Sequence, residues 1–153
     1  MSRMIHFVRH PIRFGSKVLL ALDLVLWLLW LPVMLHIHSI PMLLRGLARK
    51  NRRNTSMRLG EVIGIVIRTS RLKFFRSRLF PKLCLRQSLV LYRTLSQMGY
   101  PVEIHFGTLK DGEDLYGHSW VTVAGNPVAD TARSDIFKVV YSYPPAPPSV
   151  PYA

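Results

Sequence analysis

A chain of 153 residues is long enough for one domain with a real core and too short for two of ordinary size. Its single cysteine, Cys84, excludes an internal disulfide, leaves no basis for a cysteine-built zinc site, and is compatible with the cytosol. The net charge of +13 suggests nucleic acid only until its distribution is read: residues 1–78 carry fifteen Lys and Arg against Asp23 and Glu61, and residues 79–153 carry six against six acids. The chain divides into a basic, apolar helical region (1–78), a neutral core (79–143) and a Pro-rich tail (144–153). Nucleic-acid binding is disfavoured, because the cations cluster beside an apolar helix and not along a recognition motif.

Residues 18–35, VLLALDLVLWLLWLPVML, are almost continuously apolar and just long enough to span a bilayer. Asp23 lies inside the run, Pro32 would kink it, and cations flank both ends, so no topology follows from charge. A cleaved signal would need a small-residue site, and His36-Ile-His38-Ser-Ile-Pro41 is not one. The preferred reading is a pair of apolar helices, broken near Pro32 or Pro41, that cover the core or lie in a membrane surface with the cations toward the headgroups. A spanning helix is the alternative. His36 and His38 offer too few ligands for a metal.

Residues 50–56 form a polar, basic loop, after which Thr55 or Ser56 can cap a helix whose apolar positions Leu59, Val62, Ile63, Val66 and Ile67 run to about Arg71. The stretch 68–78 mixes cations with Phe74 and Phe75; it reads as a solvated face with the rings turned inward, or as a grip for phosphate or lipid. Leu85, Leu89, Tyr92, Leu95 and Met98 recur as a helix does, and Gly99-Tyr100-Pro101 stops it. The period then changes to two. Val102, Ile104 and Phe106 begin a strand, 110–114 turns, 115–123 is a second strand, 124–126 turns again, and 127–131 is a third. The tail from Pro144 lacks the apolar content for a core.

Cys84 falls in PKLCLRQSL, at the predicted start of a helix, where unpaired N–H groups and the helix dipole favour a thiolate and can hold an oxyanion. A lone cysteine in an apolar helix is ordinarily a packing residue, so a nucleophile needs a base and a group that orients it. The hairpin supplies both: with the turn near Gly125, His118 comes opposite roughly 130 to 132, beside Asp130. His118 is otherwise a strand histidine with a partner, and Asp130 a turn residue. Cysteine, histidine and aspartate in that order, on helix, strand and strand, make an α+β arrangement able to carry a Cys-His-Asp triad. His105 is a weaker candidate that would line the cleft, and Trp120 is a core aromatic or a substrate platform. No phosphate loop, paired-carboxylate signature or cofactor motif is present.

Residues 83–130, above all CLRQSLVLYRTLSQMGYPVEIHFG and GHSWVTVAGNPVAD, resemble the transglutaminase-like cysteine protease domain of lasso-peptide maturation B proteins. The resemblance implies a papain/transglutaminase-like fold, with a Cys-bearing helix packed on a small antiparallel sheet behind apolar N-terminal helices. It implies Cys84 as nucleophile, His118 as base and Asp130 as orienter, with no cofactor and no metal. It further implies a bacterial cytoplasmic leader peptidase that cuts a ribosomally made precursor peptide, commonly after a leader with threonine in its penultimate position, and works with a leader-binding recognition-element protein and a lasso cyclase. Residues 1–78 read as helices and not as the winged-helix-like recognition element, so the split form, with a separate partner, is expected. Ser119 departs from the pattern, where alanine is common. A membrane-surface scaffold keeping an inactive protease-like domain is the rival reading.

Overall fold

In the computed structural model, which describes residues 17–47, 57–76, 82–129 and 134–144, the apolar run folds as a single helix, α1 (Lys17–Ile37). It passes unbroken through Pro32, although the missing N–H forfeits one interior bond to the carbonyl of Leu28. The break falls instead at His38 and Ser39, ahead of α2 (Ile40–Leu47). There the Leu43 amide donates to Ser39 O at 3.0 Å, and Pro41 sits in the first turn, where an absent N–H loses nothing. Of the two predicted break points, only Pro41 is used.

Leu20, Leu24, Leu28 and Leu31 form the buried stripe of α1. Helix α3 (Leu59–Ser70) packs beside it. It begins at Leu59, with the Arg58 amide donating to the side chain of Glu61 at 3.2 Å; the expected caps Thr55 and Ser56 lie outside the described residues. A 3-10 turn (Lys73–Arg76) follows, in which Phe75 is buried and Phe74 exposed, so only one of the two rings turns inward.

All these helices close on α4 (Leu83–Gln97), whose ten residues from Arg86 to Leu95 are all buried. Two of the ten are arginines, and burying a guanidinium requires acceptors. Arg93 reaches Asp23 of α1 with both terminal nitrogens, at 2.7 and 3.3 Å, and lies 5.5 Å from the ring of Trp27. Arg86 donates to Ser70 O through Nε (3.1 Å) and Nη2 (2.8 Å), and to Phe75 O through Nη1. It thereby caps the last carbonyl of α3 with a cation, where the helix dipole favours one. The intrahelical aspartate that weakened a spanning reading is thus half of a tertiary ion pair.

Helix α4 ends as predicted. Gly99 takes a φ of +84°, its amide donates to Ser96 O and that of Tyr100 to Leu95 O, which is the Schellman pattern that a side chain at Gly99 would strain. The chain then runs through β1 (Val102–Asp111), β2 (Asp114–Val123), β3 (Asn126–Val128), a 3-10 turn (Ser134–Ile136) and β4 (Lys138–Tyr143). They make one antiparallel sheet in the order β3-β2-β1-β4, packed on α4 through β1 and β2. Ala124 and Gly125 both have positive φ, as a two-residue hairpin turn requires.

Two strands differ from expectation. β3 is three residues long and not five, because Ala129 adopts a φ of +58° and ends the ladder after Val128. β4 was not anticipated, although Phe137, Val139, Tyr141 and Tyr143 alternate as a strand does. The N-terminal residues 1–16, the basic loop and the Pro-rich tail beyond Pro144 lie outside the described residues.

The Asp23–Arg93 pair gives a direct test. Asp23→Ala leaves a buried guanidinium uncompensated and should cost about 3 kcal/mol of stability, read as a lower midpoint in urea denaturation. A loss below about 0.5 kcal/mol, as exposed pairs show, would mean that the pair does not hold α1 to α4.

Candidate active site

Cys84 is the second residue of α4 and half-buried. The N-cap residue Lys82 supplies no side-chain acceptor, and the first intrahelical bond at this end runs from the Arg86 amide to Lys82 O, at 3.0 Å. The amides of Leu83, Cys84 and Leu85 therefore have no partner within the helix. From Cys84 the face continues one and two turns along through Gln87, Ser88 and Leu91, and these four side chains form one wall of a cleft of about 190 Å³. The opposite wall is residues 118–121 of β2, with Val128, Ala129 and Arg71 closing its ends. Cys84 and His118, predicted as nucleophile and base, thus border the same cavity.

The alternation of β2 decides which of its side chains turn toward α4. Along β2, Ser119 and Val121 turn toward α4: the Ser119 hydroxyl lies 2.9 Å from that of Ser88, and Val121 is wholly buried. His118 and Trp120 alternate with them and stack on each other, with centroids 5.7 Å apart and planes at 16°. β3 pairs only with residues 121–123, so among the described residues the preceding part of β2 is an edge, and the cleft opens along that edge. Ser119 bonds to Ser88, a polar clamp between the two elements that form the cleft.

The ring of His118 is held on two sides, by Trp120 and by Phe137 at 5.0 Å. This arrangement depends on Gly107, which pairs with His118 across the β1–β2 ladder and sits where the β1–β4 register shifts. A Cβ there would fall 2.9 Å from the Trp120 ring and 3.0 Å from the Phe137 Cβ, so only glycine lets both rings close over the strand.

His105, expected to line the cleft, does not. Its Nδ1 is 2.8 Å from the Ser142 hydroxyl and its Nε2 2.9 Å from that of Thr122, and it stacks on the far side of Trp120 at 5.4 Å. Burial lowers its pKa, against a smaller opposite pull from Glu103, whose carboxylate is 3.7 Å away. His105 therefore supports the ring stack from behind.

Asp130 lies outside the described residues. The observed ladder pairs Val121 with Val128. Gln87 is a residue that the sequence reading passed over: it is buried, it lines the cleft, and its Nε2 has no acceptor among the described residues. Its spacing of three from Cys84 was the available signal. Among the described residues no group of three His, Cys, Asp or Glu is placed to hold a metal ion.

Gly107→Ala should displace Trp120 and with it His118. The alkylation rate of Cys84 by a thiol probe is expected to fall by roughly ten- to a hundredfold, with about 1–3 kcal/mol lost in stability. An unchanged rate would show that the stack does not position His118. The lowered pKa of His105 has a signed consequence. The unfolded chain takes up a proton near pH 6.5 and the folded chain only at lower pH, so between the two values the unfolded state binds more protons. Stability should therefore fall as the pH drops below about 6.5, and His105→Gln should flatten that slope between about pH 7 and 5 in urea denaturation. Equal slopes would mean that His105 accepts its proton as readily folded as unfolded.

Neither a search of curated proteins nor one of solved structures found a match. A family model described as the transglutaminase-like superfamily matches residues 18–142, from the second residue of α1 to the penultimate residue of β4. The match takes in α1, α4, the sheet and the cleft between them, and the chain belongs to the transglutaminase-like superfamily.

Proposed function

We propose that this chain is a cysteine peptidase that removes the leader from a ribosomally synthesised lasso-peptide precursor. It acts in the bacterial cytoplasm with a separate leader-binding protein and a cyclase that closes the released core. The reading rests on a thiol at a helix start and a histidine that border one cleft, Cys84 and His118, in a superfamily that includes cysteine proteases. The residues CLRQSLVLYRTLSQMGYPVEIHFG and GHSWVTVAGNPVAD, on α4, β1 and the β2–β3 hairpin, support the choice of substrate.

The chemistry is acyl transfer to water. The Cys84 thiolate attacks the scissile carbonyl, and the oxyanion is held by helix-start amides that have no intrahelical partner. The C–N bond breaks as the imidazolium of His118 gives its proton to the departing amine, which becomes the amino end of the core peptide. Water then attacks the thioester, His118 takes its proton, and the leader leaves as a carboxylate while the thiolate is restored. Asp130 orients the His118 ring from the segment after β3. The apolar cleft residues Leu83, Leu91, Val121 and Val128 favour an uncharged side chain next to the scissile bond.

In a reconstituted reaction of precursor, leader-binding partner and this chain, Cys84→Ala should abolish cleavage, and full activity of that variant overturns the proposal. Asp130→Asn should slow cleavage without abolishing it. An inert Cys84 toward an active-site thiol probe, in protein that is otherwise folded, would instead support a scaffold with an inactive site.

A further inference from the structure

Helix α1 has two apolar faces, and the domain uses one. Leu20, Leu24, Leu28 and Leu31 are wholly buried, whereas Leu22, Leu26, Leu29, Val33 and Ile37 are 41–55% exposed. The exposed positions follow one another at steps of four, three, four and four, a continuous stripe along a helix about 30 Å long. Aqueous solvent alone gives no reason for five large aliphatic side chains in a row.

We infer that α1 lies along an anionic membrane surface, its exposed stripe sunk into the boundary between headgroups and acyl chains, and that it does not cross the bilayer. Crossing would strip Leu20, Leu24, Leu28 and Leu31 from the core and break Asp23 from Arg93, the pair at 2.7 Å that ties α1 to α4. Lying flat keeps both and buries only what the domain leaves exposed.

Charge identifies the surface. The fifteen cations of residues 1–78 face two acids, and both acids already have cationic partners, Asp23 in Arg93 and Glu61 in Lys17 at 2.8 Å. Arg45, Arg58, Arg68 and Arg71 are all exposed. Lys17 starts α1, and Arg45 stands on α2 just beyond its end, so cations sit at both ends of the stripe. An apolar helix face in a region whose exposed arginines far outnumber its acids matches anionic phospholipid headgroups. The inference is independent of the peptidase reading.

The full chain should co-sediment with phosphatidylcholine vesicles containing about 30% phosphatidylglycerol, and at least about tenfold more weakly with phosphatidylcholine alone or in roughly 0.5 M salt. The double variant L26E/L29E changes exposed positions only. It should lose at least about tenfold in vesicle affinity while keeping its circular dichroism and melting midpoint. Failure of the wild-type chain to bind anionic vesicles, or equal binding by the variant, overturns the inference. So does retention in bacterial membranes after carbonate extraction, which would indicate a span. A concentration-dependent dimer that L26E/L29E dissociates, in a chain without vesicle affinity, would assign the stripe to a second copy instead.

Discussion

A helix buried all round cannot carry cations unless the elements around it supply acceptors, and α4 carries two. Arg86 and Arg93 lie seven residues apart, on nearly the same face. Each reaches out of the helix to a different element: Arg93 to Asp23 on α1, Arg86 to the carbonyls that end α3 and the 3-10 turn. Hydrophobic burial brings the helices together without direction. The two guanidiniums choose the rotation and axial position at which α1 and α3 meet α4, since any other leaves a buried charge unpaired. Burial lowers the pKa of Arg86, the electrostatic trace of that demand.

What those arginines hold in place is the start of α4. Arg86 stands two residues after Cys84, and its acceptor Ser70 directly precedes Arg71, which lines the cleft. The wall that bears Cys84 is therefore fixed on one side by the arginine clamp to α3 and the 3-10 turn and on the other by the Ser88–Ser119 bond to β2. On the far face of the sheet the stack of His105, Trp120, His118 and Phe137 leaves the His118 ring little freedom. Cys84 and His118 are thus set by separate devices at the borders of one cleft.

The family match begins at the second residue of α1, so the apolar helix is part of the domain and not an appendage. That agrees with its buried leucines and its ion pair. It also gives the protein an unusual outer surface, since the helix that completes the core presents a second apolar stripe outward. Of the readings the run 18–35 permits by composition, packing on the core is what the buried face shows, and the exposed face carries the membrane-surface inference.

Local rules were enough for what is local. The 3.6-residue period made α3 and α4 legible, Gly99 ended α4 where a left-handed residue was needed, and alternation with a turn at Gly125 located β1, β2 and the hairpin. Cys84 at a helix start and His118 on a facing strand followed from those elements alone. Features that depend on distant partners were not legible. Pro32 stays helical because packing on both sides outweighs one lost bond. Ala129 ends β3 through a backbone angle that no propensity demands. His105 turns from the cleft because Ser142 lies on β4, a strand that pairs with β1 and whose alternation in FKVVYSY is too short to stand alone. Gly107 read as a strand residue like any other until Trp120 and Phe137 were seen to need its space. The sequence determined the elements and the chemistry they bear, because period, capping and turn residues act within a few residues of one another. Only the tertiary structure decided which faces meet, because burial, charge pairing and ring packing are settled between residues far apart in the chain.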